Sequence, residues 1–388
     1  MARPLRYQTA GESHGPALVA IIDGMPSDVV IDSARVNHEL SRRQGGYGRG
    51  ARQKMETDVV EFLGGLRQGK TIGSPIALRV ANKDSRIDDS VKTPSITRPR
   101  PGHADLAGSL KYLTPDCRST LERASARETA ARVAAGAVAR SVLDAFGIRV
   151  FGFVRGAIDV NSTREIHESE LDELVRLRDA SDVYCPDPIV DAQLVELIHR
   201  AKVEKDTVGG WCEVHVFGCP PGLGSCMNWD DRLDARLAFA VMGIQAFKAV
   251  EIGLGRECAA RFGSAVHDPI TFDEALRAQS HLGFVRPSNN AGGLEGGMTN
   301  GMPVVVRGTM KPISTLLRGM PSVEFITHAP ASSAYERSDV SAVAAASVVM
   351  ENAVAFEIAR AFLDKFGGDS MREVRAAYDG YVLAARAL

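Results

Sequence analysis

The chain has 388 residues, which at roughly 150 per domain corresponds to two or three units or one large one. A hydrophobic fraction of 45% against 24% charged residues supports a sizeable core and excludes a disordered chain. Forty-six Lys and Arg against 48 Asp and Glu leave a formal charge of -2, so no global positive field exists to hold nucleic acid or an anionic membrane, and any polyanion site must be local.

Met1 to Tyr7 carries two arginines but no apolar stretch, so no removable targeting segment is expected. Gly11-Glu12-Ser13-His14-Gly15 fits the G-x-S-x-G nucleophile elbow, yet that elbow follows several strands and an oxyanion loop, for which only ten residues leave no room. Val19 to Ile22 and Val59 to Leu63 are short apolar runs closed by Asp23-Gly24 and Gly64-Gly65, as strands with tight turns are. Gly64 through Thr71 matches a phosphate loop, but such a loop must open a helix, and Ile72-Gly73-Ser74-Pro75-Ile76 reads as a turn and a strand. Lys70 is therefore expected at a hairpin tip.

Between them, Arg35 to Lys54 holds six basic residues against one acid, around Gly45-Gly46-Tyr47-Gly48-Arg49-Gly50. A flexible basic loop of this kind suits a lid over an anion, because glycine lets backbone approach a ligand and guanidinium groups bind phosphate or carboxylate in pairs. A solvated surface loop accounts for this segment equally well when it is taken alone. Thr97 to Asp105 puts His103 in a proline-stiffened turn with two arginines before it and Asp105 behind, a setting that tunes an imidazole for proton transfer.

Ser125-x-x-Glu128 reads as a capping box for a long, buried, Ala-rich helix ending at Phe146 with Gly147 as its cap. Asn161 to Asp206 is charge-dense and poor in aromatic residues, as a peripheral excursion is. A second helix is expected from about Leu233 to Val250, and a third from about Val343 to Phe366 before Gly367-Gly368. Glu122-Arg123-Ala124-Ser125 opens the first and Glu336-Arg337-Ser338-Asp339 the third, an echo that an internal duplication would leave. Gly292 to Gly301 is glycine-dense and leads through Val304-Val305-Val306 to Lys311-Pro312-Ile313-Ser314-Thr315, a cation and two hydroxyls just past a strand. Aromatic residues make up only 6% of the chain, too few for a nucleic-acid module. The six cysteines form no C-x-x-C pair and no zinc spacing, so free thiols in a reducing cytosol and no metal are expected. Val340 to Phe362 is broken by Glu351, Asn352, Glu357 and Arg360 and cannot span a bilayer.

GESHG, RPGHAD, ERASARETA, MGIQA, AGGLEGGMTNG, KPIST and ERSD occur in the order seen in the chorismate synthase family, and the chain resembles that family over essentially its whole length. The resemblance implies one catalytic domain over residues 1–388, with a peripheral charged segment at about 161–206. The implied fold is α+β, a sandwich of antiparallel sheets around central Ala-rich helices, assembled as a homotetramer in the cytoplasm. The implied reaction is the last shikimate step: 5-enolpyruvylshikimate 3-phosphate loses phosphate and a ring proton to give chorismate, with reduced FMN required but not consumed. By the same resemblance Arg43 and Arg49 face the anionic substrate or a nicotinamide phosphate. Flavin contacts fall on Arg123, Ala124 and Ser125, on Gln245 and Ala246, on Gly296, on Lys311, Pro312, Ile313, Ser314 and Thr315, and on Arg337. His14 donates to the departing phosphate, His103 protonates or polarises the flavin, and Asp339 with Ser13 or Ser125 relays a proton. The family pattern carries Ser where this chain has Ala124, which leaves a backbone contact there. NADPH is admissible as reductant, and an external flavin reductase is the expected partner.

Overall fold

The computed structural model describes residues 4–50, 57–336 and 338–388. Four strands, β1 (Arg6–Ala10), β2 (Ala17–Asp23), β3 (Val60–Gly64) and β4 (Ile76–Ala81), form an antiparallel sheet in the order β1-β2-β4-β3. Leu18, Ala20 and Ile22 on β2 and Ile76, Leu78 and Val80 on β4 are buried, the period-2 pattern of a sheet with one face on the core. Each such Leu, Ile or Val stabilises the fold by roughly 1.5–3 kcal/mol. Residues 11–16 connect β1 to β2 and carry Ser13 and His14. Gly11 there has φ +108°, and a Cβ on it would stand 2.3 Å from the Ala17 carbonyl oxygen. Leu66–Arg67 and Lys70–Thr71 pair as a hairpin through Gln68 and Gly69, both at positive φ, so Lys70 sits beside a hairpin turn and the phosphate-loop match opens no helix.

The basic segment departs from the expected loop. Ser33–Gln44 is a helix, α1, capped by the Asp32 carboxylate, which accepts from the Ala34 amide. Only the glycine-rich part after it is loop, and Lys54 lies outside the described residues.

Helices α2 (Asp105–Tyr112) and α3 (Arg118–Ala124) precede an extended break at Ser125, φ -63° and ψ 140°. The Ser125 hydroxyl accepts from Arg127, not from Glu128, and caps a single tight turn, Ala126–Glu128, before α4 (Thr129–Asp144) begins. The capping box therefore does not form. The Glu128 carboxylate turns instead to Arg132 and Gln245, 2.9 and 3.0 Å away, stronger partners than a backbone amide. At the other end Gly147, φ +72°, closes a Schellman motif in which Ile148 and Gly147 amides donate to Leu143 and Asp144.

The second antiparallel sheet holds β5 (Arg149–Ala157), β6 (Val160–Asn161), β7 (Gly210–Phe217), β8 (Phe247–Ile252) and β9 (Val304–Met310), in the order β8-β9-β7-β5-β6. Residues 161–206 contain α5 (Leu171–Ala180) and α6 (Pro188–Val203). Leu171 and Leu174 of α5 pack with Phe151, Phe153 and Phe217 on the sheet's outer face. Helix α7 spans Leu233–Met242 only. The expected continuation to Val250 is overturned: Gly243 ends the helix, Ala246 turns at φ +70°, and β8 pairs with β9. Pairing with a distant strand satisfies the β8 backbone and overrides local helical texture.

The long helix α8 (Val343–Lys365) is followed by α9 (Met371–Arg386). Helix α4 packs on β2 and β4, α8 packs on β5 and β7, and α4 and α8 pack on each other. Their approach is close because Gly136 has no Cβ, which would otherwise stand 2.3 Å from the Asn352 carbonyl oxygen. Beside that contact the fully buried Glu351 accepts from Arg42, Arg140 and Arg178 at 2.9, 3.0 and 3.4 Å. Arg42 is thus a core residue joined to Glu351 and Glu39, not one of the cations free for substrate. Among the described residues no helix is long and apolar enough to cross a membrane. Cys117, Cys185, Cys212 and Cys219 are buried thiols, and Cys226 and Cys258 are exposed ones.

Candidate active site

A cleft of about 890 Å³ collects residues from the β1–β2 loop, the turn before α2, the Ser125 break, the α7–β8 turn, the segment after β9 and the approach to α8. Its volume is that of a small-molecule site.

His14 is 7% exposed and is held on three sides. Its backbone amide donates to Glu122 Oε2 at 2.8 Å, and its Nδ1–H to Glu122 Oε1 at 2.9 Å. That bond sets the tautomer and aims Nε2 toward Arg86 Nη2, 3.1 Å away, and Asp84 Oδ2, 3.6 Å away. Asp84 offers an acceptor on that side and Arg86 a donor. Burial works to raise the Glu122 pKa, but the hydrogen bond and charge of His14 hold it below the ordinary glutamate value.

His103 is built the same way. Its Nδ1 bonds to the fully buried Asp105, which also accepts from Arg100 Nε at 2.8 Å. Burial alone would raise the Asp105 pKa, and the bonds from His103 and Arg100 hold it well below the carboxylate range. Arg100 Nη1 donates to the Thr315 hydroxyl at 3.1 Å, tying this turn to the segment after β9. The Ser125 hydroxyl lies 3.2 Å from that of Ser13.

Cations concentrate around these groups. Arg43 and Arg127 meet on the buried Asp58, each at 2.7 Å. Desolvation lowers Arg43 to about 10 despite Asp58. Arg49 donates to Asp339 Oδ2 at 2.6 Å, and the Gly50 amide donates to Oδ1 at 2.6 Å. Lys311 is held below the ordinary lysine value by burial and by the nearby charge of Lys248. Arg43 Nε, Arg49 Nε and Gln245 Oε1 are buried polar atoms with no bonding partner among the described residues. An anionic, hydrogen-bonding occupant fits such a lining.

Of the residues singled out in the sequence, Ser13, His14, Arg43, Arg49, His103, Ala124, Ser125, Gln245, Ala246, Lys311, Ile313, Ser314, Thr315 and Asp339 line the cleft. Pro312 does not. Arg123 is directed to the Thr9 and Gly11 carbonyls at 3.1 and 3.2 Å, outside it. Gly296 lies at the tip of the Leu294–Glu295/Met298–Thr299 hairpin, near Cys226, and Arg337 lies outside the described residues. Sequence reasoning missed Asp58, Asn82, Asp84, Arg86 and Lys248, which stand in no recognisable motif. Glu122 and Arg100 stood within quoted motifs: Arg100 lies beside the His103 turn, whereas Glu122 opens a motif with no histidine in it.

The chain matches the family model described as chorismate synthase over residues 5–363. It is 50% identical over 392 residues to the chorismate synthase of Desulforudis audaxviator (strain MP104C), covering 99% of this chain and 98% of that one. It is 51% identical over 391 residues to that of Geobacter metallireducens (strain ATCC 53774 / DSM 7210 / GS-15), covering 97% and 98%. A solved structure titled "Crystal Structure of Chorismate Synthase" superposes with a TM-score of 0.81 at 40% identity over 100% of both chains. A mixed α/β fold with antiparallel sheets and a cationic, histidine-bearing cleft fits an enzyme of small-molecule substrates. The chain belongs to the chorismate synthase family, whose members are lyases.

Proposed function

We propose that this chain converts 5-enolpyruvylshikimate 3-phosphate to chorismate and phosphate by 1,4-elimination, the last step of the shikimate pathway. The observation that carries the reading is the pairing of two histidines, each backed by a buried carboxylate, in one cleft with Arg43, Arg49, Arg86 and Arg127. A substrate with two carboxylates and one phosphate needs such a local concentration of cations in a chain that is nearly neutral overall.

His14, as the imidazolium with Nδ1–H held by Glu122, gives the proton at Nε2 to the departing phosphate, whose charge rises as the allylic C–O bond breaks. Arg86, beside that nitrogen, binds the same oxygens and leaves His14 free to act. Arg43 and Arg127, splayed on Asp58, hold substrate anions, and Arg49 links the glycine loop to Asp339. Asp339, with Ser13 or Ser125, relays the proton that leaves the ring, and His103 would donate to, or polarise, the bound flavin. Reduced FMN would rest against Ala124 and Ser125, Gln245 and Ala246, and Lys311 to Thr315. When bound it lends electron density to the allylic system and recovers it, so that turnover is redox-neutral. Arg123, Gly296, Pro312 and Arg337 belong to the same proposed flavin set through the family resemblance.

The chain acts as one catalytic unit in which the two sheets enclose α4 and α8, with residues 161–206 peripheral to the chemistry. In this reading its two halves descend from a duplication, on the echo of Glu122 and Glu336, each standing the same distance before an Ala-rich helix, at Thr129 and Val343. Exposed Met227, Trp229 and Phe239 suit burial in a homotetramer. A cytoplasmic location fits the six free thiols. An external reductase, with NADPH as donor, keeps the flavin reduced.

The test is anaerobic turnover with FMN reduced once by a chemical reductant. Many equivalents of phosphate are expected per flavin without further reductant, and none with oxidised FMN. Stoichiometric consumption of reductant would indicate an ordinary flavin oxidoreductase, and phosphate release without flavin a phosphatase. Either result overturns the reading.

A further inference from the structure

Asn82 follows the end of β4, 7% exposed, and belongs to no motif. Its side-chain amide nonetheless lies between the β1–β2 turn and Arg127. Nδ2 donates to the Gly15 carbonyl at 2.8 Å and lies 3.2 and 3.4 Å from the Glu12 and Ser13 carbonyls. Its backbone amide donates to Pro16 at 3.1 Å. The turn that presents Ser13 and His14 is therefore fastened from below by one residue. On the opposite side Oδ1 accepts from Arg127 Nε at 2.8 Å, and Arg127 chelates Asp58 with Arg43 on the same carboxylate.

We propose that Asn82 is a positioning residue for the elimination: it ties the Ser13–His14 turn to the Arg127–Asp58–Arg43 cluster, fixing the distance between the proton donor and the anion-holding guanidinium groups. The inference rests on the reading of His14 as the acid. Only an amide suits the place, because the turn offers carbonyl acceptors and Arg127 offers a donor. A carboxylate would face three carbonyl oxygens without a proton to give. Other anchors hold the turn without reaching the Arg127–Asp58–Arg43 cluster: Glu122 binds Ser13 and His14 from the helix side, and the Arg86 and Ile87 amides donate to the His14 carbonyl at 2.9 and 3.0 Å, whereas Asn82 adds the link to Arg127. A group displaced by about 1 Å from its reacting partner loses on the order of a hundredfold in rate.

The experiment is a double-mutant cycle on phosphate release with reduced FMN, using Asn82→Ala, His14→Ala and the double variant in the full chain. Thermal unfolding and the Cε1–H NMR signals of the histidines are recorded for each. Asn82→Ala is expected to lower kcat roughly ten- to a hundredfold with a smaller change in KM, and to move the His14 signal. In the His14→Ala background the same substitution should change kcat by less than about threefold, because residues acting as a unit are not additive. Asn82→Ser, whose hydroxyl is too short to reach both the turn and Arg127 but can satisfy one of them, carries the same cycle should Asn82→Ala fail to fold. Independent, multiplicative losses, or an Asn82 variant with normal kcat while His14→Ala is inactive, would overturn the positioning role. Normal kcat in His14→Ala would instead overturn the acid assignment on which it rests.

Discussion

His14 and His103 stand in separate turns, yet each ring nitrogen Nδ1 meets a carboxylate shielded from water, Glu122 for one and Asp105 for the other. Such a partner orients the ring and stabilises the imidazolium that gives up the proton. Removing either imidazole removes a positioned acid but no large apolar volume. His14→Ala and His103→Ala are each expected to lower kcat by roughly a hundredfold in a chain that still folds, with a lower melting temperature because Glu122 and Asp105 each lose a partner. Steady-state phosphate release on the folded variants decides the matter, and near-normal rates in both would remove the histidines from the mechanism. Both turns were legible as glycine-flanked histidine motifs. Their carboxylate partners were legible to different degrees: Asp105 is two residues from His103, whereas Glu122 is 108 residues from His14 in the chain.

At the scale of elements, α4 and α8 owe their contact to small residues. Gly136 meets Asn352 so closely that a Cβ would stand 2.6 Å from the Asn352 Cβ and nearer still to its carbonyl oxygen. Neither helix can yield without shifting a sheet. Gly136→Val therefore overpacks the interface, and a loss of about 1–3 kcal/mol is expected in chemical denaturation at neutral pH. An unchanged midpoint would mean that the helices slide freely. The Ala-rich texture announced both helices, and Gly147 announced the end of α4. The end of α7 was not legible, because Phe247 to Ile252 becomes a strand only when β9, more than fifty residues later, supplies its hydrogen bonds.

At the scale of the whole molecule, buried carboxylates join elements that are far apart. Glu39 links α1 to α4 and α8, Glu213 gathers Arg155, Arg307 and His215 on the second sheet, and Glu122 and Asp105 anchor the cleft. Burial opposes ionisation in each, and arginine or histidine partners overcome it, so all four titrate below ordinary carboxylates. A lowered folded-state pKa means that the unfolded chain binds more protons on acidification. The stabilisation is present above the ordinary value of 4.5 for glutamate and is lost progressively as pH falls through and below it. Melting temperature measured from pH 7 to pH 3 should hold steady and then drop below that point, and a flat profile would contradict these charge pairs. What the sequence by itself determined is the order of the motifs, the two Ala-rich helices, the hairpin that empties the phosphate-loop match of meaning, and the two histidine turns. These rest on local chemistry: glycine at positive φ, small side chains in a buried helix, an imidazole in a stiff turn. Only the tertiary structure decided that Arg42 belongs to the core, that Asp58 joins Arg43 to Arg127, and that Asn82 joins that cluster to His14. A charged side chain carries no local mark of its partner, since the partner is chosen by which distant elements the packed core brings within about 3 Å.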